Sequence, residues 1–420
     1  MVGHPDQEEK QFTIARRLKH ARPIESIPMI TSHLRPDVAL PSDFERATLV
    51  GRVELPGAGP ALVHVRADGV YDLSRLAPTC SELLERPDVA AAVRGHRGER
   101  IASTREILAN TSCDARVLDA PYFLAPCDLQ AIKAAGVTFV ESMLERVIEE
   151  QAGGDPSKAE AVRRQVVAVI GENLGAVKPG SPEAGRLKQI LIEQDMWSQY
   201  LEVGIGPDAE VFTKSQPMSA VGTGSEIGLH PGSSWNNPEP EIVLAVNSRG
   251  ETVGATMGND VNLRDFEGRS ALLLGKSKDN NASCAVGPFI RLFDEHFTID
   301  DVRRCELAMR VEGADGFVLD GTSPLAKISR DPLDLVGQAI GRNHQYPDGF
   351  VLFLGTMFAP TQDRHGPGQG FTHVVGDVVT IATPRLGTLA NRVSTSDRVA
   401  PWTYGTRALM RDLARRGLLG

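Results

Sequence analysis

The sequence predicts an α+β protein, because helical and strand patterns occupy separate stretches of the chain. Alternating apolar residues begin at Thr48, helical spacing dominates residues 155–201, and short Val/Ile/Leu runs between turns fill the chain from Gly204 onward. A period of two residues is typical of strands, and a period of 3.6 residues is typical of helices. The chain has 420 residues, a length for which two domains are the default expectation.

The composition excludes several classes of protein. The chain carries 45 Lys+Arg against 54 Asp+Glu, a net charge of −9, so it has no global electrostatic reason to bind nucleic acid or an anionic membrane. No apolar run approaches the roughly 20 residues that span a bilayer, and the first residues lack the apolar stretch of a signal peptide. The five cysteines are odd in number and form no CxxC pair, which indicates neither a disulfide scaffold nor a zinc site. We therefore expect a cytoplasmic protein with no nucleic-acid or membrane partner.

Three segments follow one another along the chain. Residues 1–45 are polar and proline-rich, and we expect an N-terminal arm that packs on another part of the assembly. Residues 46–118 predict a small N-terminal α+β domain, with strands and a hairpin turn at Asp68-Gly69 followed by helical and irregular structure. The remaining residues, 119–420, predict the catalytic domain.

Four stretches of that third segment have a helical pattern. Asp128–Gly136 is predicted as a short helix with an Asp N-cap and a Gly stop, and helical spacing resumes over 142–151. A helical insertion of about residues 152–201 follows, whose two helices each start at an N-cap residue followed by proline. The chain ends in a helix at about 406–416.

The most informative stretch for chemistry is Asn236–Asp260, NNPEPEIVLAVNSRGETVGATMGND. Successive side chains of a strand alternate between its two faces, so Glu239 and Glu241 point the same way. The tetrapeptide Asn247–Gly250 predicts a hairpin turn, which brings the following strand back alongside these glutamates.

The turn also predicts the register of the two strands. If Asn247 lies opposite Gly250, then Glu241 faces Thr256, and Asp260 lies on the same face as both glutamates. A one-residue slip would send Asp260 to the other face.

Three neighbouring carboxylates repel one another and cannot all stay ionised without a cation between them. Ligation by oxygen alone favours Mg²⁺, with Mn²⁺ or Ca²⁺ behind it. The alternative is a solvated acidic face on an edge strand, which Pro240 would also suit. Spacing alone leaves both interpretations open.

Four strings identify a family. They are EPEIVLAV…GATMGNDVNLRD, KDNNASCAVGP (278–288), GFVLFLGTMFAP and GDVVTIATPRLGTLANRV, and together they resemble the catalytic domain of the fumarylacetoacetate hydrolase family. The resemblance covers roughly residues 119–420, interrupted by the helical insertion. It implies a mixed β-sandwich roll in which Mg²⁺, or Mn²⁺ in its place, is held by three acids. The implied metal ligands are Glu239, Glu241 and Asp260.

The same resemblance implies the surroundings of the metal. Lys278 matches the family's lysine near the metal, and Thr356 of the Gly355-Thr356 pair matches its threonine near the substrate. The carbon–carbon bond hydrolases of the family carry G-x-N-Y-x-x-H-x-x-E on a lid segment, but here Ser142 stands in place of the histidine. The His/Glu pair that activates water is therefore missing, which puts hydrolysis in doubt.

The lid segment instead resembles G-V-T-Y/F-x-x-S-x-x-x-R-x-x-E of family members that dehydrate 2-keto-3-deoxy sugar acids, most closely the bacterial 2-keto-3-deoxy-D-pentonate (xylonate/arabinonate) dehydratases. The residues that fill this pattern are Thr138, Phe139, Ser142, Arg146 and Glu149. The resemblance thus implies a Mg²⁺-dependent hydro-lyase that converts a small 2-keto acid to 2,5-dioxopentanoate through a metal-stabilised enolate.

Roles follow for individual residues. We expect Lys278 to stabilise the developing oxyanion and Glu149 to act as base or acid, although Glu149 alternatively reads as one more solvated acid on an acid-rich helix. Ser142 and Thr356 are expected to orient substrate hydroxyls. The expected substrate-binding residues are Thr138, Phe139, Arg146, Lys278 and Thr356.

Other functions remain open at this point. A Mg²⁺-dependent hydrolase of acylpyruvates or 2,4-diketo acids, or a decarboxylase, would use the same scaffold. A binding protein that kept the fold without catalysis is a third possibility. The family further implies a homodimer or a homotetramer.

Overall fold

The computed structural model of the protein describes residues 29–170, 177–193, 195 and 197–419, with the backbone alone for residues 165–170. The strands of this part of the chain are β1 (Leu49–Leu55), β2 (Gly59–Arg66), β3 (Gly69–Asp72), β4 (Arg100–Ala102), β5 (Tyr122–Leu124), β6 (Ala131–Gly136), β7 (Glu210–Ser215), β8 (Glu226–Leu229), β9 (Asn236–Asn237), β10 (Pro240–Val246), β11 (Thr252–Asp260), β12 (Asn262–Leu263), β13 (Cys284–Leu292), β14 (Glu306–Glu312), β15 (Val318–Pro324), β16 (Phe350–Phe353), β17 (Val378–Thr383) and β18 (Gly387–Thr395).

The α-helices of the described residues are α1 (Pro36–Ala39), α2 (Cys80–Leu84), α3 (Val89–Gly95), α4 (Thr104–Thr111), α5 (Val140–Gln151), α6 (Pro156–Ile170), α7 (Pro182–Glu193), α8 (Gln199–Ile205), α9 (Arg264–Glu267), α10 (Leu274–Lys278), α11 (Ile299–Arg303), α12 (Pro332–Ala339) and α13 (Thr406–Arg415). Short 3₁₀ helices lie at Ile30–His33, Ala271–Leu273 and Leu325–Lys327.

Two large sheets confirm the predicted α+β class. Eleven strands form one sheet in the order β4-β3-β2-β1-β13-β11-β10-β16-β6-β7, with β5 paired to β1, and five form another in the order β15-β14-β17-β18-β8. Most pairs are antiparallel, but β6 runs parallel to β16 and β8 runs parallel to β18. The sheets share one apolar core, in which side chains of β10 and β11 meet those of β14, β17 and β18.

The N-terminal strands belong to the larger sheet. Strand β1 pairs antiparallel with β13 through Leu49–Arg291 and Val50–Ile290, and the predicted turn at Asp68-Gly69 joins β2 to β3. Of the predicted arm, residues 1–28 lie outside the described residues, whereas Ile30 is buried against the five-stranded sheet. The domain boundaries drawn from the sequence stay a prediction.

The predicted helix over Asp128–Gly136 is wrong, because residues 131–136 form β6. This strand is hydrogen-bonded to β16 on one side and to β7 on the other. The Asp128 carboxylate caps a different helix, since it accepts hydrogen bonds from the backbone N–H groups of Cys80 (2.7 Å) and Ser81 (3.0 Å) at the start of α2. Pairing with distant strands therefore outweighs the local helical spacing.

The other predicted helical stretches are helical, although the insertion holds three helices rather than the predicted two. Helix α5 contains the predicted 142–151 segment, helices α6, α7 and α8 make up the insertion, and α13 lies within one residue of its prediction. The insertion has a small core of its own, in which Met143, Val147 and Ile148 of α5 pack with Leu191 and Tyr200. The helical spacing of Val166, Val169 and Ile170 predicts a buried stripe on α6, and their side chains lie outside the described part of the structure.

The hairpin β10–β11 corrects the predicted register. Glu241 lies opposite Gly258 rather than Thr256, and a register shift occurs next to Val246. The turn spans one residue more than predicted, because the N–H of Asn247 donates to the carbonyl of Glu251 at 3.0 Å. The register shift next to Val246 adds a second residue. The shift at Glu241 is two residues, an even number, so every side chain keeps its predicted face.

Among the described residues, no helix combines the length and the apolar character needed to cross a membrane.

Candidate active site

Three carboxyl groups meet at one end of the β10–β11 hairpin, as the sequence predicts. Glu239 precedes β10, Glu241 lies on it, and Asp260 ends β11. Each is only 1% exposed, and one carboxylate oxygen from each lies within 4.8 Å of the others. The backbone N–H of Asp260 donates to the carbonyl of Glu239 at 3.0 Å, which fixes this end of the hairpin. The arrangement is a buried acidic triad able to hold a cation.

Lys278 lies directly against the triad. Its Nζ donates to Oε2 of Glu239 at 2.5 Å and to Oδ2 of Asp260 at 3.1 Å. Burial opposes the charged form of the lysine, but Asp260 and Glu239 outweigh it and raise the pKa of Lys278. The side chain therefore stays a buried cation, as a residue that stabilises negative charge must.

Glu241 is the member of the triad with the least compensation. It accepts hydrogen bonds from the N–H of Gly355 at 2.7 Å and from the Thr356 hydroxyl at 3.3 Å, but it has no ion pair among the described residues. Burial, Asp260 and Glu239 raise its pKa well above the ordinary range. For Glu239, burial also acts to raise the pKa, yet Arg146 and Lys278 together lower it to about 2. A cation would let Glu241 ionise as well.

A second buried lysine, Lys214 of β7, supports the triad and was not found from the sequence. Its Nζ lies 2.9 Å from Oδ1 of Asp260, and it donates hydrogen bonds to the carbonyl oxygens of Val261 (3.2 Å) and Lys278. The oxygen Oδ1 of Asp260 nevertheless accepts no aligned hydrogen bond. Lys214 therefore ties the ends of β11 and α10 together and leaves this oxygen available.

Arg146 and Glu149 of α5 lie behind the triad. Arg146 donates to Oε2 of Glu149 at 2.7 Å and also to Oε1 of Glu239. The other oxygen of Glu149 accepts from Nε of Arg264 at 2.6 Å. Both oxygens of Glu149 are thus held by arginines, and Glu149 does not line the site cavity.

Two further carboxyl groups line the cavity and were missed by the sequence analysis. Glu210 starts β7, and Glu267 ends α9. Burial raises the pKa of Glu210, and burial also raises the pKa of Glu267, to about 7. A side chain at Gly136 would overlap the carboxylate of Glu210, so the glycine of the lid segment makes room for it.

The alternation of side chains along a strand could have pointed to Glu210. Glu210, Phe212 and Lys214 alternate along one face of β7, and this face turns toward the triad: Phe212 lines the cavity, and Nζ of Lys278 lies 5.7 Å from its ring centre. Glu267 lies in a four-residue helix, where no periodicity can point to it.

The remaining predicted residues do not all line one cavity. Ser142 and Thr356 line the site cavity, which has a volume of about 20 Å³, room for a water-sized group. Phe139 lines an adjoining cavity of about 430 Å³ together with Met357, Lys178 and Lys327. Thr138 is buried and donates to the carbonyl of Leu354 at 2.6 Å, and the Ser142 hydroxyl donates to the carbonyl of Phe139 at 2.9 Å. Thr138 lines neither cavity.

The charges of this site do not balance. We use the name site cluster for its ten ionisable side chains, six acidic and four basic: Glu149, Glu210, Glu239, Glu241, Asp260 and Glu267, with Arg146, Lys214, Arg264 and Lys278. Buried charges are normally paired, so two acids in excess require protons or a cation. Oxygen ligands from three carboxylates suit Mg²⁺, and the residues present therefore fit a divalent metal.

Known proteins share part of this sequence. Residues 191–394 match the family described as Fumarylacetoacetate (FAA) hydrolase C-terminal. The chain is 32% identical over 203 residues to a probable 2-keto-3-deoxyxylonate dehydratase of Haloferax volcanii, and 30% identical over 184 residues to the 2-dehydro-3-deoxy-D-arabinonate dehydratase of Saccharolobus solfataricus. These matches cover 48% and 44% of this chain but only 66% and 58% of the two relatives.

A solved structure shares the fold. The structure of a 2-keto-3-deoxy-D-arabinonate dehydratase complexed with magnesium and 2,5-dioxopentanoate is 20% identical to this chain, with a TM-score of 0.57, and the match covers 83% of this chain and 99% of that one. The mixed β-sandwich roll expected from the sequence is therefore confirmed as the fold. Residues 191–394 therefore correspond to a fumarylacetoacetate hydrolase C-terminal domain.

Proposed function

We propose that the protein is a Mg²⁺-dependent dehydratase of a 2-keto-3-deoxy sugar acid, and that its substrate is 2-keto-3-deoxy-D-pentonate. The observation that carries the proposal is the buried triad of Glu239, Glu241 and Asp260 in contact with Lys278. The names of the two relatives and of the magnesium complex support the same reaction class and the product 2,5-dioxopentanoate.

The triad and the lysine together form the anion-binding end of the site. When bound there, Mg²⁺ would supply a Lewis acid that makes the C3 hydrogen of a 2-keto acid more acidic. Lys278 adds a fixed positive charge at the same end, and this charge stabilises an enolate oxygen. Gly355 and Thr356 hold Glu241 in place through its two oxygens.

Glu210 is our candidate for the base that removes the C3 proton. It lines the site cavity and makes no hydrogen bond or ion pair among the described residues, and its raised pKa favours proton uptake. Glu149, which the sequence suggested for this role, has both oxygens bound by Arg146 and Arg264. We infer that Glu149 instead positions Arg146, which in turn holds Glu239.

The lid residues would bind the rest of the substrate. Ser142 and Thr356 line the cavity and carry hydroxyl groups that can meet those at C4 and C5 of the sugar acid. Phe139 and Arg146 are expected to contact the substrate on the side of α5. Thr138 is expected to hold the lid segment to the end of the strand at Leu354 through its hydrogen bond. The cavity of about 20 Å³ is smaller than a five-carbon acid, so substrate binding requires the lid segment to move.

The test is a product analysis of the purified protein with Mg²⁺. With 2-keto-3-deoxy-D-pentonate, we expect a semialdehyde that an added aldehyde dehydrogenase oxidises, and a product mass lower by one water. The C4 epimer and the corresponding hexonate serve as comparison substrates. Cleavage of a 2,4-diketo acid into two acids, with the deoxy-pentonate left intact, would contradict the proposal in favour of a hydrolase. Release of CO₂ would favour a decarboxylase.

The assembly and the cellular location stay predictions. A homodimer or a homotetramer is expected from the family resemblance, and light scattering of the purified protein would measure it. A cytoplasmic location is expected from the composition.

A further inference from the structure

We propose that Glu267 is a second proton-transferring catalytic residue of this site, which protonates the leaving hydroxyl at C4 and then carries protons at C4 and C5. The inference rests on the proposed dehydratase function. It assigns separate tasks to two carboxyl groups: Glu210 acts at C3, and Glu267 acts at the hydroxyl-bearing end of the substrate.

The position of Glu267 is the first argument. It is the last residue of α9, is 3% exposed, and lines the same small cavity as the acidic triad, Lys278 and Ser142. Its Oε2 accepts no hydrogen bond. A buried carboxylate oxygen without a hydrogen bond is costly unless it meets a ligand or carries a proton.

The hydrogen-bonding pattern around Arg146 is the second argument. Oε2 of Glu267 lies 3.3 Å from Nη1 of Arg146, but the aligned hydrogen bonds of this arginine go to Glu149 at 2.7 Å and to Glu239. Glu149 and Glu239 are therefore held by aligned hydrogen bonds from Arg146, whereas Oε2 of Glu267 is not and remains free to bind a proton. Burial, which raises its pKa to about 7, agrees with this difference.

The chemistry requires more than one proton carrier. The C3–H bond breaks, and its proton passes to the Glu210 carboxylate. The C4–O bond then breaks, and the hydroxyl takes the proton of the Glu267 carboxylic acid and leaves as water. The remaining 2-keto-3-ene still carries a CH₂OH group at C5 and is not yet an aldehyde.

The later transfers convert this alkene to the 2-keto acid with an aldehyde at C5 and restore both carboxyl groups. The Glu267 carboxylate removes a proton from C5, while Glu210 returns its proton to C3, which leaves an enol at C4–C5. Glu267 protonates C4 and accepts the enol hydroxyl proton, so 2,5-dioxopentanoate forms. Glu210 ends as a carboxylate and Glu267 as an acid, and the net loss is one water.

The experiment separates the two tasks in D₂O with Mg²⁺. Exchange of deuterium into C3 of unreacted 2-keto-3-deoxy-D-pentonate is followed by NMR, and aldehyde formation is followed by the coupled dehydrogenase. We expect Glu267→Gln to keep C3 exchange while aldehyde formation falls by about 100-fold or more, the usual contribution of a general acid–base group. Glu210→Gln is expected to lose both. Glu306→Gln, on the exposed side of β14, is the matched control and should match the wild type in both.

Three outcomes would overturn the proposal. Glu267→Gln could form aldehyde at the wild-type rate, or it could lose C3 exchange along with aldehyde formation while still binding Mg²⁺ by calorimetry. A wild-type protein that shows neither C3 exchange nor aldehyde would overturn the proposed function, and this inference with it. The first two outcomes leave the dehydratase function standing, so the two failures are distinguishable.

A second variant covers the case in which Glu267→Gln does not fold. Glu267→Asp keeps the carboxyl group but withdraws it by one methylene. We expect its ratio of C3 exchange to aldehyde formation to exceed the wild-type ratio, because only the later proton transfers are slowed. An unchanged ratio would overturn the assignment.

Discussion

Two groups of charged residues in this protein differ in how completely their buried carboxylates are hydrogen-bonded. In one, which we name the Arg364 cluster (Asp315, Arg364, His373 and Asp377), Arg364 binds both oxygens of Asp377 at 2.6 and 2.7 Å. His373 and the N–H of Val374 also contact Asp377, each at 3.0 Å. The site cluster, by contrast, leaves one oxygen each of Asp260 and Glu267 without a hydrogen bond.

The pKa values differ in the same way. Burial acts to raise the pKa of Asp377, but the hydrogen bonds from Arg364 and His373 lower it to about 2. In the site cluster, burial raises the pKa values of Glu210, Glu241 and Glu267. In the Arg364 cluster, Nε2 of His373 lacks a hydrogen bond, but both oxygens of the Asp377 carboxylate are bound. Carboxylates bound in this way stabilise the fold, whereas those with an unbound oxygen keep capacity for a cation, a substrate or a proton.

The largest expected effect comes from removing the least compensated acid. We expect Glu241→Gln to reduce dehydratase activity by more than the about 100-fold that loss of an outer metal-site partner typically causes, because a direct ligand is lost. The midpoint of urea unfolding without metal should not fall, since the raised pKa of Glu241 favours its neutral form when no cation is bound and Gln is a neutral side chain of the same size. Calorimetry measures Mg²⁺ binding, an activity assay measures turnover, and urea unfolding measures stability. A destabilised variant that still binds Mg²⁺ would mean that the comparison is wrong.

The opposite result is expected in the Arg364 cluster. Arg364→Met leaves the buried carboxylate of Asp377 without its main partner, and breaking a buried pair typically costs about 3–5 kcal/mol. Urea unfolding measures this loss in the free energy of unfolding. The folded fraction should bind Mg²⁺ as the wild type does, so weakened metal binding without loss of stability would contradict the structural role.

Metal binding should stabilise the folded protein through the site cluster alone. At a free Mg²⁺ concentration of about 100 times Kd, mass action predicts a gain of about 2.7 kcal/mol in the free energy of unfolding. The gain should vanish in Glu241→Gln and persist in a surface variant such as Glu306→Gln. Thermal unfolding with and without Mg²⁺ checks this prediction, and an equal gain in both variants would place the cation elsewhere.

Acid should act on the Arg364 cluster. The folded pKa of Asp377 is about 2 and its ordinary value is 3.8, so the folded state binds this proton less tightly than the unfolded state does. The resulting stabilisation is fully present above about pH 4 and is lost as the pH falls toward 2, an effect of about 2 kcal/mol. Asp377→Asn should therefore flatten this part of the stability–pH curve, measured by urea unfolding. Wild-type and variant curves of equal slope would contradict the assignment.

Glu267 should change the free energy of unfolding with pH in the opposite direction. Its pKa is raised from 4.5 to about 7 in the folded protein, so the folded state binds this proton more tightly. Its contribution to stability is present below pH 4.5 and is lost as the pH rises toward 7. The two clusters thus act in separate pH windows and in opposite directions.

The smallest effect is expected at the surface. Arg310 and Asp320 form an ion pair of 2.7 Å, but their side chains are 41% and 64% exposed. Such pairs contribute about 0–1 kcal/mol. Asp320→Asn should change the free energy of unfolding by less than about 1 kcal/mol, measured by urea unfolding in low salt. A larger loss would show that burial is not what separates strong from weak pairs here.

The acidic triad was predictable because strand geometry is local. Side chains alternate regardless of what the strand contacts, so Glu239 and Glu241 had to share a face. Asp260 joined them although the turn was misjudged, because the register moved by an even number of residues. The three predicted metal ligands therefore stay the same although the predicted turn was one residue too short.

The rest of the site depends on contacts between distant segments. Glu210 and Lys214 reach the triad only because β7 pairs with β6, and the sequence predicted all of β6 as a helix. Glu149 was assigned from a motif that shows spacing but not partners, and its two arginine contacts come from α5 and α9. Motifs name residues, whereas their charge state depends on neighbours that only the fold brings together.

The pairing of β1 with β13 has a practical consequence for handling the protein. All nine residues of β13 are buried, and its neighbour on the other side is β11, which ends in Asp260. A shortened chain lacking the N-terminal strands would turn β13 into an open edge whose free backbone groups can pair with other molecules. A catalytic fragment made that way is expected to self-associate. The strands before residue 119 therefore protect the sheet that carries the active site by covering its edge.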